Sequence, residues 1–402
     1  MKAARVGILG GGQLGQMLSE AALKLNLTPV VFCSQRDEPA LLVAQERFLG
    51  DPKDDDIFQR FRASVDIVAI ESEFFPFPKS LGDSNLGAPL IPSLQTVTLL
   101  SDKLQQKELW RRHGLPTAPF VALRSGQDIS DWLYSLDKHF PSGFVIKTAK
   151  NGYDGKGVFV CERGSPEALR FCLEAQKKGG DLYAEQKIQF KRELAIIGCR
   201  SINGEFISYP LVISEQKGGV CHLVTGPACE LGVPKETALQ AKKLAKNISE
   251  ISDLCGSFGV EFFETASGEI LINEIAPRVH NSGHYSQDAC EASQFENHWR
   301  AIMGMPLGKV DSKGFFMMLN LLGPSGIYCN NSLEAQPKVS NQMNLHWYNK
   351  SEIKPGRKLG HINGVASNKS ELDHLVTCAK TIEAAWISAL SEISLRNKYK
   401  KD

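Results

Sequence analysis

Glu261 and Glu274 stand near the two ends of VEFFETASGEILINE, which begins at Val260 and consists of two apolar runs flanking Ser267-Gly268. A two-residue turn at Ser267-Gly268 predicts a β-hairpin in which Glu261 lies directly opposite Glu274. Like charges facing each other on a sheet repel, and the neighbouring Phe and Ile side chains add a desolvation penalty. A hard divalent cation removes that penalty, and Mg²⁺ is typically held by one or two carboxylates together with substrate phosphates. On pattern alone, two solvated acids on an exposed ribbon in a slipped register remain the alternative.

A second cluster suits phosphate. FVIKTAKNGYDGKGVFV puts Lys147 at a strand end, followed by Gly152, Tyr153, Asp154, Gly155, Lys156 and Gly157 in a loop. Such a loop is rich in N–H donors and can fold over a polyphosphate. It is not a Walker loop, because no Gly-Lys-Ser/Thr enters a helix; an ordinary glycine-bearing hairpin would look the same. Lys103 and Lys147 can each neutralise a phosphate oxygen or be merely solvated. YAEQKI at 183–188 reads as a strand whose backbone can meet a base, with Glu193 close enough to hold ribose hydroxyls.

The elements that must position these groups follow from periodicity. The chain has 402 residues, 42% hydrophobic and 23% charged, enough for two or three soluble globular domains. A net charge of +1 gives no electrostatic footprint for nucleic acid or an anionic membrane. The ten cysteines include no Cys-x-x-Cys pair, so reduced core thiols in a cytoplasmic protein are expected. No apolar run approaches the roughly 20 residues of a membrane span, and the N-terminal run is cut short by glycines.

Residues 1–100 alternate strand and helix patterns, the start of a parallel, doubly wound α/β sheet. Ser101 is the expected cap of a helix ending near Gly114, and Pro116 and Pro119 make an extended linker. Residues 101–300 mix short strands, among them EFISYPLV, with a long helix marked by Ala241, Leu244, Ala245, Ile248, Ile251 and Leu254. Residues 301–402 read as strands, a Trp/Tyr-containing basic loop and a final helix.

VGILGGGQLGQML, from Val6, carries Gly10, Gly12 and Gly15 in the Gly-x-Gly-x-x-Gly pattern of dinucleotide sites. A nicotinamide site needs an acid at the end of the second strand; here Cys33 and Ser34 stand there. The turn still offers backbone amides at a helix N-terminus, so a phosphate of another ligand is the favoured occupant, ahead of a plain tight turn.

Together these segments resemble the ATP-grasp superfamily. NEIAPRVHNSGHYS, from Asn273, and HWYNKSEIKPGRKLGH, from His346, together with GGGQLG, narrow the resemblance to the N5-carboxyaminoimidazole ribonucleotide synthetase family. The similarity runs from Val6 to about Gly364. It implies an N-terminal Rossmann-like (pre-ATP-grasp) parallel sheet, central ATP-grasp lobes with a mobile lid at about 120–190, and a small α+β C-terminal domain completing the substrate site.

The resemblance also implies roles. Lys103, Lys147 and the loop from Gly152 to Gly157 would hold ATP phosphates, and Tyr153 would also reach the substrate. Glu185, Gln186, Lys187 and Ile188 would form the adenine hinge, with Glu193 on the ribose and Asn273 in the same site. Glu261 and Glu274 would bind Mg²⁺, two ions being expected and Mn²⁺ a substitute. Gln13, Leu14, Glu73 and Asn281 would meet the ribonucleotide, and Lys350, Arg357 and Lys358 would hold its 5′-phosphate and ring region. Arg278 and His280 would line the carboxylation centre, with Lys350 counted among the catalytic groups. After Tyr209-Pro210 family members often carry a His where this chain has Gln216. Gln216 can hydrogen-bond ATP but cannot carry charge.

The implied reaction is ATP-dependent carboxylation of 5-aminoimidazole ribonucleotide (AIR) with bicarbonate through carboxyphosphate, in purine biosynthesis, by a cytoplasmic homodimer with no nucleic-acid or membrane partner. Two rivals stand beside it: a formate-dependent glycinamide ribonucleotide transformylase, and an NAD-dependent oxidoreductase. A catalytically dead relative that keeps the fold is a third.

Overall fold

The computed structural model describes residues 3–78, 81, 87–150, 152, 157–162, 165–330 and 335–399. Strands β1 (Arg5–Leu9), β2 (Thr28–Cys33), β3 (Glu46–Leu49) and β4 (Ile67–Ile70) form a parallel sheet in the order β3-β2-β1-β4. Helices α1 (Gln13–Lys24) and α2 (Asp55–Ala63) cover its opposite faces. Leu14, Met17 and Leu18 of α1 pack with Val6 and Ile8, whereas Phe58 and Phe61 of α2 pack with Leu9 and Phe32. Gly7 makes the second contact feasible, since a Cβ there would lie 2.7 Å from the Phe61 ring.

Two helices follow, α3 (Leu94–Leu100) and α4 (Lys103–Arg112). Asp102, not Ser101, caps α4: its carboxylate accepts the Leu104 and Gln105 N–H groups, both at 3.0 Å. Such a cap contributes about 1 kcal/mol, and a carboxylate also complements the positive helix end. Ser101 instead terminates α3.

Strands β5 (Phe120–Ala122), β6 (Phe144–Thr148), β7 (Val158–Cys161) and β8 (Leu182–Gln186) form a separate antiparallel sheet, ordered β5-β8-β6-β7. Helices α5 (Ile129–His139) and α6 (Pro166–Lys177) back it around Trp132, Leu136, Ile146 and Cys172.

The largest sheet contains β9 (Phe190–Arg200), β10 (Phe206–Ser208), β11 (Val212–Lys217), β12 (Val220–Gly226), β13 (Gly256–Thr265), β14 (Ile270–Ala276) and β15 (Phe315–Leu322). A small ladder pairs β16 (Cys329–Asn330) with β18 (Glu352–Ile353), while β17 (Met343–Trp347) and β19 (Lys358–Ala366) extend the large sheet. Its order is β14-β13-β9-β11-β12-β15-β19-β17, with β10 beside β9. EFISYPLV is thus two strands: Tyr209-Pro210 separates β10 from β11, Pro lacking the N–H a central ladder needs.

Helix α7 (Lys235–Ile251) buries Ala241, Leu244, Ala245 and Ile248 against one face of that sheet, together with Leu109 and Trp110 of α4. Helices α8 (Ser286–Ala289) and α9 (Gln294–Ile302) follow the hairpin β13-β14. Trp299 of α9 packs among the α1 residues and its indole N–H donates to Leu18 O at 2.8 Å, tying the parallel sheet to the large one. Helix α10 (Lys369–Tyr399) packs Leu372, Leu375 and Ala379 over β15 and β19. Among the described residues no disulfide is present and no helix is long and apolar enough to cross a membrane.

Candidate active site

The hairpin β13-β14 turns through three residues rather than two. The Thr265 N–H donates to Glu269 O at 2.8 Å, and Gly268 adopts φ +85° at the end of the loop. This loop alone would slip every pair by one and set Glu261 against Asn273. A bulge between Glu261 and Phe262 undoes the slip: Phe262 pairs with Ile272, Glu261 with Glu274, and Asn273 is the extra residue. Glu261 and Glu274 therefore face each other through two offsetting irregularities, not through a regular hairpin. Because a bulge turns successive residues to the same side, Asn273 and Glu274 both line a cavity of about 410 Å³.

Charge in this cavity is unevenly balanced. Burial, then the facing Glu274, pushes the Glu261 carboxyl up to about 8. Burial would raise Glu274 as well, but Lys103, the first residue of α4, is bonded to its carboxylate and holds it below the usual range. Lys147 of β6 donates to Asn273 Oδ1 at 3.2 Å and pairs with Glu185 of β8. Glu185 is 3% exposed, and although burial opposes its charge, Lys147 and Lys107 bring it down to about 2. Its side chain is thus committed to lysines and its backbone to the sheet, where it pairs with Phe120 and Val145, which leaves any contact to a base to the residues that follow it. Gln186, Lys187, Ile188 and Glu193 continue along the same cavity, where burial lifts Glu193 to about 7.

Gly152 also lines the cavity; Tyr153, Asp154, Gly155 and Lys156 lie outside the described residues. Gly157 ends that loop at φ +74°, and a Cβ there would lie 2.2 Å from Thr148 Oγ1. Gln216 of β11 reaches the opposite wall, its amide donating to Ser214 Oγ at 3.2 Å.

A second cavity of about 320 Å³ is lined by Gln13, Leu14, Glu71 and His284. It shares Phe74, Arg278, Asn281 and Lys358 with the first. Arg278 is ion-paired with Glu73, its Nη2 lying 3.3 Å from Glu73 Oε1. His280 has Nδ1 at 2.8 Å from Ser282 Oγ and Nε2 at 3.7 Å from Glu261 Oε1. Neither the oxygen nor the nitrogen of the buried Asn281 amide has a hydrogen-bond partner among the described residues. An orphaned buried amide at the seam of two cavities is a group waiting for a ligand.

Lys350 and Arg357 stand behind this lining, whereas Lys358 reaches it. Burial, then Arg357, pushes the Lys350 ammonium down to about 8, Lys358 adding a further repulsion.

The expected phosphate seat at the first glycine turn is already filled. The Glu71 carboxylate accepts the Gly12 and Gly15 N–H groups, each at 2.8 Å. An anion from the end of β4 thus takes two of the amides expected to hold a ligand phosphate, which corrects that expectation for Gly12 and Gly15, while Gln13 and Leu14 line the second cavity. Sequence reasoning missed Glu71, Phe74, His284 and Lys107. Glu71 was detectable as an acid at the carboxyl end of a parallel strand, where open α/β sheets build their sites. Lys107 was detectable as a cation one turn from Lys103 and three residues before Trp110, on a buried helix face.

Among the described residues no three or more His, Cys, Asp or Glu side chains form a metal cluster. Two opposed carboxylates opening onto a cavity fit a cation that takes its remaining ligands from phosphates, as Mg²⁺ does.

A two-lobed cleft with opposed carboxylates and inward lysines defines an ATP-grasp ligase. A family model for the ATP-grasp domain matches residues 108–295, one for the ribonucleotide synthetase preATP-grasp domain matches 2–99, and one for the phosphoribosylaminoimidazole carboxylase C-terminal domain matches 317–375. The N5-carboxyaminoimidazole ribonucleotide synthase of Synechococcus elongatus is 35% identical over 392 residues, covering 95% of each chain. The phosphoribosylaminoimidazole carboxylase of Saccharomyces cerevisiae is 37% identical over 394 residues, and the match covers 93% of this chain but 65% of that longer protein. The structure of the Aspergillus clavatus N5-carboxyaminoimidazole synthase in complex with ADP and 5-aminoimidazole ribonucleotide superposes with a TM-score of 0.81 at 30% identity, covering 97% of this chain and 99% of that one. The chain belongs to the N5-carboxyaminoimidazole ribonucleotide synthase family, which sets aside the dinucleotide oxidoreductase.

Proposed function

We propose that the chain carboxylates the exocyclic amine of 5-aminoimidazole ribonucleotide with bicarbonate, converting ATP to ADP and phosphate, in purine biosynthesis. The observation that carries this reading is the seam: a cavity with opposed carboxylates and lysines meets a second cavity at Arg278, Asn281 and Lys358. Two substrates bound on either side of those residues would present a phosphorylated intermediate to an amine without release to water.

Bicarbonate is a poor acyl donor because hydroxide leaves badly. A bicarbonate oxygen attacks the γ-phosphorus, the bond to ADP breaks, and carboxyphosphate forms. Its C–O bond then cleaves to give CO₂ and phosphate; the amine nitrogen bonds the carbon and loses one proton. Phosphoryl transfer of this kind is chiefly a matter of positioning and charge neutralisation. Lys103 and Lys147 neutralise phosphate oxygens, and the backbone from Gln186 to Ile188 takes the adenine. Glu193 holds ribose hydroxyls, and Gln216 makes a neutral contact in place of the family's His. Glu261 and Glu274 would hold Mg²⁺, with Mn²⁺ as a substitute, and a cation bound there spreads the charge developing on the phosphates. Arg278 exchanges Glu73 for bicarbonate or carboxyphosphate, and His280, fixed by Ser282, orients the intermediate. Gln13, Leu14, Glu73 and Asn281 meet the ribose and ring, and Lys350, Arg357 and Lys358 answer the 5′-phosphate. Gly152 and Gly157 flank the segment to which the family resemblance gives the task of shielding carboxyphosphate from water. A homodimer is proposed from the family alone.

The test is ADP formation with AIR and bicarbonate supplied together and singly, and with formate replacing bicarbonate. ADP release that requires both AIR and bicarbonate is expected; formate-stimulated or AIR-independent release would exclude the reading.

A further inference from the structure

Lys107 lines neither cavity, and at 1% exposure it cannot touch a nucleotide. It is nonetheless tied into the phosphate side of the site. Its ammonium lies 2.7 Å from Glu185 Oε2 and donates to Thr117 Oγ1 at 2.7 Å. Thr117 Oγ1 in turn donates to Ile272 O at 2.8 Å, so Lys107 is anchored to β14 as well as to β8. The other oxygen of the same carboxylate, Oε1, is taken by Lys147. One buried anion therefore serves two cations, of which one is locked in place and the other lines the cavity.

This asymmetry has a physical consequence. A buried carboxylate with a single ammonium cannot release it without leaving an uncompensated charge in a poorly solvated place. With a second, immobile ammonium on its far oxygen, the carboxylate remains paired when the first departs. We infer that Lys107 is a positioning residue, the fixed counter-ion of Glu185 that frees Lys147 to move from this carboxylate to the nucleotide's phosphates. The inference rests on the ATP-dependent reading above and adds a group that acts only through its neighbours. Lys103 is the contrast within the same helix: one turn earlier, it holds Glu274 at the cavity wall itself.

The experiment compares Lys107→Met, Lys107→Arg, Glu185→Gln and the double variant Lys107→Met/Glu185→Gln in the full chain, by ADP binding and steady-state kinetics. Lys107→Met should raise the ADP Kd and the ATP KM by about tenfold or more while the AIR KM stays within about twofold. Lys107→Arg should lie near the unmodified chain, since its charge is kept. The double variant should recover most of the lost ADP affinity, because no carboxylate remains to retain Lys147. A purely structural role for Lys107 predicts a double variant no better than the single one. That result, or unchanged ADP affinity in Lys107→Met, overturns the inference. If Lys107→Met does not fold, Glu185→Gln decides: equal or tighter ADP binding supports the exchange, and a loss of about tenfold overturns it. An unmodified chain that binds no ADP overturns both this inference and the reading beneath it; every other failure leaves that reading standing.

Discussion

At the mouth of the parallel sheet, one carboxylate meets two amides: Glu71 accepts the Gly12 and Gly15 N–H groups at the start of α1. At the hairpin end of the antiparallel sheet, two carboxylates share the reach of one ammonium, Glu261 facing Glu274 with Lys103 on the latter. Both places carry recessed acids, and both were read from the sequence as ligand seats. The first already holds an internal anion on two of its amides, although burial still raises the Glu71 carboxyl. In the second, burial and mutual repulsion push Glu261 up to about 8, and a divalent cation is the outside group that would let both acids ionise. Charge balance, rather than the presence of a glycine motif, separates a seat for an anion from a seat for a cation.

The sharpest way to break this comparison is Glu274→Gln. Loss of one of two proposed metal carboxylates should lower AIR-dependent ADP release by about a hundredfold or more while the far-ultraviolet circular dichroism spectrum stays unchanged. Near-normal turnover would remove the hairpin from the chemistry. The complementary change, Glu71→Gln, sets an amide N–H₂ against one of two amide donors and should cost about 2 kcal/mol of stability, read as a lower urea midpoint. If the AIR KM rose while the midpoint held, Glu71 would belong to the ligand after all.

A smaller effect sharpens the substrate side. Lys350 is pushed down to about 8 by burial and its cationic neighbours, so it is charged below that pH and neutral above it. Raising the pH from 7 to 9 should therefore raise the AIR KM by about fivefold, and Lys350→Arg, which stays charged throughout, should remove that rise. A flat AIR profile would assign phosphate binding to Arg357 and Lys358 alone.

Periodicity made the layered architecture legible, because continuous apolar runs and 3.6-residue spacing report burial directly. It located the strands FVIKT and FFMMLNLLG and the buried face of α7. Local irregularity was less legible. The Glu261–Glu274 pairing rests on a three-residue loop and a compensating bulge, neither of which leaves a pattern in residue types. The glycine turn misled because a Gly-x-Gly-x-x-Gly sequence records a backbone shape and not what fills it. Asp102 was passed over for Ser101 because cap preferences barely separate the two residues. Lys350 and Arg357 were reachable only through family resemblance, because their local contacts, Arg357 to Glu352 and Lys350 over the Tyr348 ring, say nothing of a ligand. Lys107 escaped because a lysine is read as solvated until a buried acid is found beside it.

Strand β15 lies against β12, so the outer half of the large sheet is closed by residues ninety or more positions away from those they pair with. Its ladder covers the apolar run Val220–Gly226, which would otherwise be a bare edge. A fragment stopped after α9 would retain Lys103, Lys147, Glu193, Glu261 and Glu274 but lose Lys358, and it would present an unpaired, sticky margin to its neighbours. Such a piece should aggregate on expression rather than behave as a smaller enzyme, so solubility and chemistry in this chain share the same C-terminal strands.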